Sequence, residues 1–275
     1  MAETSSPSLA DWPLFLIAWF PHSGCRWLAR GLLKRHRDIE MGEFFCPWLH
    51  RSTDDVLKTD ATTQVHKSRS LPELAGEFAI AREAVEAGRR AGIAHYFEAK
   101  RQAMQAAAPN ALHGGVLPCG SDIGFLDLPA LIDLMPNGLK IVHLVRDPRG
   151  CYPSFATRAE LDGSPERVAG LWSGFNAWIR ASAAPLGDAR YRVIRYEDLT
   201  ADPHRTLAGL VDWLGLPPDP ACEEGIAEYH GRNRDVDLSH LVNEDVARRL
   251  LAVSAAELAQ YGGPAEDRPS RSRAA

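Results

Sequence analysis

Leu14-Phe15-Leu16-Ile17-Ala18-Trp19-Phe20-Pro21-His22-Ser23-Gly24-Cys25-Arg26-Trp27-Leu28 is the stretch that decides how this 275-residue chain folds. Its first seven residues form a continuous apolar run of strand length, as expected for a central parallel strand buried on both faces. The run is too short to cross a bilayer. Pro21 stops the strand and Gly24 tolerates a tight turn. Trp27, Leu28, Gly31 and Leu32 then recur at helical spacing through about His36. Strand, loop and helix in that order aim unpaired N–H groups and the positive end of a helix dipole at the loop mouth, an arrangement that holds phosphate or sulfate. His22, Ser23 and Arg26 add side-chain donors. Taken alone, the segment also fits an ordinary βα turn.

A second segment narrows the choice. Lys140-Ile141-Val142-His143-Leu144-Val145 reads as another buried strand, preceded by the turn Pro136-Asn137-Gly138. It delivers Arg146 to its carboxyl end, where open α/β sheets bind ligands. The planar guanidinium fork donates two parallel charge-assisted hydrogen bonds to a phosphate. Ser154, about two helical turns further on, offers a neutral donor to the same group. Asp147-Pro148 has a simpler reading as a helix start, and Arg149 as a solvated charge. A third strand signal, Tyr191 to Tyr196, leads through Glu197-Asp198-Leu199 to Asp202-Pro203. An amphipathic helix follows, with Leu207, Leu210, Val211 and Leu214 as its core face and Gly215 and Pro217-Pro218 as its close.

Together these segments resemble the sulfotransferase family that uses 3′-phosphoadenosine 5′-phosphosulfate (PAPS). The family pattern is a Lys/Arg-Ser-Gly-Thr-Thr-Trp-type loop, an Arg-Asp-Pro-Arg strand end with a serine eight residues on, and an Arg-Tyr-Glu-Asp-Leu strand before Asp-Pro and a leucine-rich helix. The match runs over residues 13–35 and 130–218 in the same order. The resemblance implies an α/β three-layer sandwich with a central parallel sheet, the P-loop NTPase-like sulfotransferase fold. It implies PAPS as donor, 3′,5′-adenosine bisphosphate as product, no metal, and sulfonate transfer to a hydroxyl or amine. On that basis Ser23, Gly24, Cys25, Arg26 and Trp27 hold the 5′-phosphosulfate end. Arg146 and Ser154 take the 3′-phosphate and Tyr196 lies near the nucleoside, while Arg232 and Arg234 belong either to a basic loop closing over the 3′-phosphate or to a solvated loop. Trp27 either faces the adenine or packs the first helix on the sheet.

The chain departs from the family pattern at two points. His22 stands where relatives carry Lys or Arg, the cation that stabilises charge on the bridging oxygen as the sulfonate leaves. An imidazole, with an unperturbed pKa of about 6.5, does this only when protonated, a form that a dianionic neighbour favours. Arg26 is the second candidate for that charge. On the acceptor side, the Lys-Thr-His or Lys-x-Pro of relatives is echoed only by His66-Lys67-Ser68-Arg69 and Leu117-Pro118. These offer Lys67 as a second cation and His66 or Glu43 as the base. The alternatives are a P-loop kinase-like phosphotransferase and a catalytically weak or inactive nucleotide-binding relative. The first lacks Gly-x-x-x-x-Gly-Lys-Ser/Thr; the second is motivated by His22.

Composition suits one soluble enzyme domain, with 45% hydrophobic and 24% charged residues. Boundaries are expected at 1–12 for a flexible N-terminus, 13–261 for the domain and 262–275 for a disordered tail. The five cysteines are odd in number and lack metal-type spacing, which speaks against a disulfide framework or zinc site and for a reducing, cytoplasmic setting. No secretory signal or membrane span is legible. A net charge of −5 and a pI near 6.1 argue against broad nucleic-acid binding. The expected partner is a small-molecule or glycan acceptor, with oligomeric state open. Residues 72–108 read as one or two helices broken near Gly88 or Gly92, and the resemblance implies that they recognise the acceptor. Phe44, Phe45, Trp48 and Tyr96 are either pocket-lining or core. A final helix is expected over about Asn243 to Gln260.

Overall fold

The computed structural model describes residues 8–44, 71–117, 127–157, 163–232 and 242–263. Its sheet has five parallel strands: β1 (Leu14–Trp19), β2 (Ile39–Glu43), β3 (Leu112–Val116), β4 (Leu139–Val145) and β5 (Tyr191–Arg195), in the order β2-β3-β1-β4-β5. β1 is central because it is apolar on both sides. Leu14, Leu16 and Ala18 enter one core, while Phe15 and Ile17 enter the other. From β1 the chain moves first to β2 and β3 on one side and then to β4 on the other. A crevice therefore opens at the carboxyl ends of β1 and β4.

Helices cover both faces. The first core is built on α2 (Leu71–Ala107), α3 (Leu128–Leu134), α4 (Pro148–Ala156), α5 (Pro165–Ala183) and α9 (Glu244–Ala259), through residues such as Phe97, Leu131, Phe155, Trp172 and Leu258. The second lies under α1 (residues 25–35), α6 (Tyr196–Ala201), α7 (Pro203–Leu214) and α8 (Pro220–Arg232), through Leu28, Leu199, Leu210 and Ile226. The three-layer α/β expectation is met. Local signals placed several boundaries: Asp202 caps α7 by accepting from Arg205 N at 3.0 Å, and Gly215 ends it with φ of 85°. Asn243 caps α9 through Val246 N at 3.0 Å.

Three expectations change. α2 runs unbroken for 37 residues. From residue 83 on, its buried positions, Arg89, Ile93, Phe97, Arg101 and Met104, form a single stripe. Gly88 lies on the exposed side, where a glycine costs about 1 kcal/mol relative to alanine; the pairs Glu86–Arg90 and Glu98–Arg101 support the helix around it. α1 is not a regular helix. After one α-turn it widens to a π-helix over Trp27–Leu32, where Leu33 N reaches both Ala29 O and Leu28 O, and closes as a 3₁₀ turn over Leu33–Arg35. The Cys222 thiol of α8 donates to Leu32 O at 3.5 Å, meeting a carbonyl of the widened segment. Finally, within residues 8–12, read as part of the flexible N-terminus, Leu9–Asp11 form a 3₁₀ turn and Trp12 is fully buried, its Nε1 donating to His113 Nδ1 at 2.7 Å. The rest of the 1–12 stretch and residues 264–275 lie outside the described residues.

His143, midway along β4, is fully buried between Asn176 Oδ1 and the Tyr191 hydroxyl, each at 2.9 Å. Since the amide oxygen only accepts, Nε2 carries the proton and Nδ1 accepts from Tyr191. Burial pushes the imidazole pKa down to about 4. The unfolded chain takes up this proton near pH 6.5 and the native state resists it. The resulting stability is fully present above about pH 6.5 and is lost as pH falls towards 4, by about 3 kcal/mol. His113, also shifted downward by burial, acts in the same direction. Urea-unfolding midpoints at pH 7 and 4.5 should therefore differ less for His143→Gln than for the parent protein.

Candidate functional site

The site forms where β1 ends. Ser23 N bonds back to Phe20 O at 3.1 Å, and the amides of Trp27 and Leu28 turn to Gly24 O at 3.1 and 3.4 Å. Between them, the N–H groups of Gly24, Cys25 and Arg26 meet no acceptor among the described residues. Three successive open amides at a helix start form an anion cradle. The loop reaches this shape through two left-handed residues, Gly24 (φ 89°) and His22 (φ 69°). For histidine that conformation costs about 1–2 kcal/mol, so something must hold it.

The holder is Arg146, at the end of β4. Its Nη1 donates to His22 O at 2.9 Å. Its guanidinium lies over the Tyr196 ring at 4.3 Å, a cation–π contact. Its remaining N–H groups meet no acceptor among the described residues and stay available to an anion. Tyr196 in turn rests on the loop. A Cβ at Gly24 would stand 2.4 Å from its ring, so only glycine fits there. The first turn of α4 passes close under the arginine, where a Cβ at Gly150 would stand 2.6 Å from Arg146 Nε. Main-chain bonds fix the base of the side chain: Trp172 Nε1 donates to Arg146 O, and Asp147 N donates to Glu197 Oε1, both at 2.8 Å.

The other expected residues divide. Ser154 lies partly exposed on α4, two turns beyond Arg146. Arg26 is exposed at the first turn of α1, next to the cradle. The His22 ring meets Phe155 edge-on at 5.2 Å. Ser23 differs from expectation: its side chain is fully buried with Oγ 3.8 Å from Cys151 Sγ, so it faces the core and adds no donor at the mouth. Cys25 is buried too, and burial pushes its thiol up to about 12. It offers its amide and no nucleophile. Trp27 takes the packing alternative, 3% exposed in the second core, with its edge towards Tyr196 at 6.1 Å. Arg149 is not simply solvated. It donates from Nε and Nη2 to the two oxygens of Asp147 at 3.0 and 2.8 Å, while Asp147 caps α4 through Arg149 N at 2.9 Å.

His66, Lys67 and Arg234 lie outside the described residues, as do Phe45, Trp48 and the side chains of Glu43 and Arg232, although Glu43 closes β2 and Arg232 ends α8. Phe44 is core, stacked on Phe97 at 5.5 Å, and Tyr96 packs edge-on against Phe97 at 5.4 Å. Sequence reasoning missed Glu197, Trp172 and Gly150. Glu197 sat inside a motif already singled out, but nothing local shows that its carboxylate turns back to β4. Trp172 gave no signal beyond helical periodicity. No group of His, Cys, Asp and Glu suited to a metal ion occurs among the described residues. No described helix is long and apolar enough to cross a membrane.

Comparison with known proteins bears on the family and the fold. The sequence matches the model of the Sulfotransferase family over residues 13–220. It is 29% identical over 114 residues to carbohydrate sulfotransferase 1 of Rattus norvegicus, covering 34% of this chain. A match to the Danio rerio protein of the same name is 28% identical over 135 residues, covering 42% of this chain and 31% of that protein. The chain thus spans about a quarter of the length of the mammalian relative it matches, 27%. Among solved structures, it is similar to the sulfotransferase domain from the Synechococcus PCC 7002 olefin synthase, with a TM-score of 0.56 at 16% identity, covering 96% of this chain and 99% of that one. The sulfotransferase domain from the curacin biosynthetic pathway also gives 0.56 at 16% identity, covering 92% and 98%. These two likenesses speak to the fold. With the family model spanning most of its length, the chain belongs to the sulfotransferase family.

Proposed function

We propose that the chain is an enzyme that transfers a sulfonate group from PAPS to a hydroxyl or amine acceptor. One observation carries this reading: the open amides of Gly24, Cys25 and Arg26 stand beside an arginine whose unused donors lie at the adjacent strand end. A donor with an anionic group at each end of a nucleoside needs two such grips. The cradle suits the 5′-phosphosulfate, and Arg146 with Ser154 suits the 3′-phosphate. The bound donor supplies an activated sulfonate, whose departure leaves negative charge on a phosphate oxygen.

The chain's own residues meet that charge. The three cradle amides are fixed before the ligand arrives, so they stabilise an anion without reorganising. Arg26, exposed at the mouth, adds a permanent positive charge, and His22 adds a second only when protonated. Lys67 and His66 complete the proposal as second cation and base. The acceptor is a small molecule or glycan. The glycan arm is supported by the relatives named carbohydrate sulfotransferase 1.

A non-transferring nucleotide-binding protein is the second reading, favoured by His22 in place of the family's Lys or Arg. Turnover with PAPS and a panel of sugar and phenolic acceptors separates the two. His22→Ala should lose about 100-fold or more in rate, while His22→Lys should equal or exceed the parent. No turnover in any of the three forms would favour the silent reading.

Calorimetric titration tests the donor site. 3′,5′-Adenosine bisphosphate should bind at micromolar Kd, ahead of AMP and ATP. Arg146→Ala should weaken it about 10- to 100-fold through the loss of charge-assisted bonds. A preference for ATP with a requirement for Mg²⁺ would instead indicate a phosphotransferase.

A further inference from the structure

We propose that Glu197 is a positioning residue for Arg146, one that sets the preference for a 3′-phosphorylated nucleotide; this rests on reading Arg146 as the partner of the 3′-phosphate. The first turn of α6 presents two adjacent side chains to two adjacent residues of the β4–α4 junction. The Tyr196 ring lies under the Arg146 guanidinium, and Glu197 Oε1 accepts from Asp147 N at 2.8 Å. Together with Trp172 Nε1 on Arg146 O, the carboxylate holds both polar groups of the Arg146–Asp147 peptide unit, directly after the Arg146 Cα.

Glu197 is itself anchored. Its Oε2 receives Arg195 Nε at 3.4 Å, and Arg195, 5% exposed, donates from Nη1 to Tyr261 O at 2.7 Å just beyond α9. The aim of Arg146 is thereby referred to a buried arginine and to the last helix, rather than to its own flexible chain. The other acid at this junction, Asp147, is engaged by Arg149 and by the start of α4. It does not replace Glu197 as acceptor for its own N–H.

The sign of the effect separates this role from that of a bystander. A carboxylate beside an anion site repels the anion, so removing a bystander Glu197 would tighten nucleotide binding. Removing a positioning Glu197 weakens it, and only for the ligand that Arg146 grips.

The test is the affinity for 3′,5′-adenosine bisphosphate and for AMP, measured by calorimetry on the parent, Glu197→Ala and Glu197→Gln, and on Arg146→Ala with and without Glu197→Ala. We expect Glu197→Ala to weaken the bisphosphate about 10-fold or more and AMP less than about threefold. Glu197→Gln, which keeps an acceptor for Asp147 N, should stay within about threefold of the parent, and Glu197→Ala should add nothing once Arg146 is gone. If Glu197→Ala does not fold, Glu197→Asp, which keeps the charge but is one methylene shorter, is read against the same outcomes. Unchanged or tighter bisphosphate binding, equal weakening of both nucleotides, or the same factor in the Arg146→Ala background would overturn the proposal. A parent that binds neither nucleotide overturns the donor-site reading and this inference with it. A parent that prefers the bisphosphate while Glu197→Ala keeps that preference overturns this inference alone.

Discussion

The grip of Arg146 on the His22 carbonyl joins three parts of the chain that the sheet alone does not align. β1 ends in a loop with two left-handed residues, a shape that isolated chains avoid. β4 ends in a cation that, unpaired, would be costly to hold half-buried. β5 leads directly into Tyr196, the first residue of α6, whose ring needs both a floor and a cover. One arrangement answers all three needs: the guanidinium bonds the strained loop, covers the ring, and leaves donors open beside the cradle. Gly24 is the floor, which is why a side chain is excluded there.

The sheet makes that meeting geometrically cheap. With β1 and β4 adjacent, parallel and in register from Leu14 opposite Leu139 to Trp19 opposite Leu144, their carboxyl ends finish side by side. The helices then differ in task. α5 and α9 close the first core under the sheet, and Trp172 of α5 reaches from that core to the Arg146 carbonyl. The same face holds the neutral His143, whose partners are drawn from β5 and α5, so a polar group at the centre of β4 also ties two layers together.

What was legible in the sequence is what local chemistry dictates. The apolar run before Pro21 is buried on both faces because nothing polar interrupts it. Asp202 and Gly215 mark the ends of α7 because a cap and a left-handed stop act within a few residues. Arg146 at a strand end could be placed because strand and cation are contiguous. The failures are non-local. Gly88 suggested a break, but a helix continues through glycine when its buried stripe, here Ile93 and Phe97, falls on the other side. Ser23 carries the hydroxyl that the motif asks for, yet its side chain is fully buried beside Cys151 of α4, a residue distant in sequence. Whether Trp27 packs or faces outward, and where the Glu197 carboxylate points, depend on residues distant in sequence. No periodicity encodes such contacts.

The bond from Arg195 to Tyr261 O has a consequence for how the protein is made. All five strands, the loop and Arg146 are present once β5 has been synthesised, but the anchor of Arg195 comes from the turn that follows α9. A nascent chain can therefore assemble its sheet well before Arg195 is anchored. The order of synthesis delays that anchor until Tyr261 has been made, and it ties Arg195 to the folding of α9.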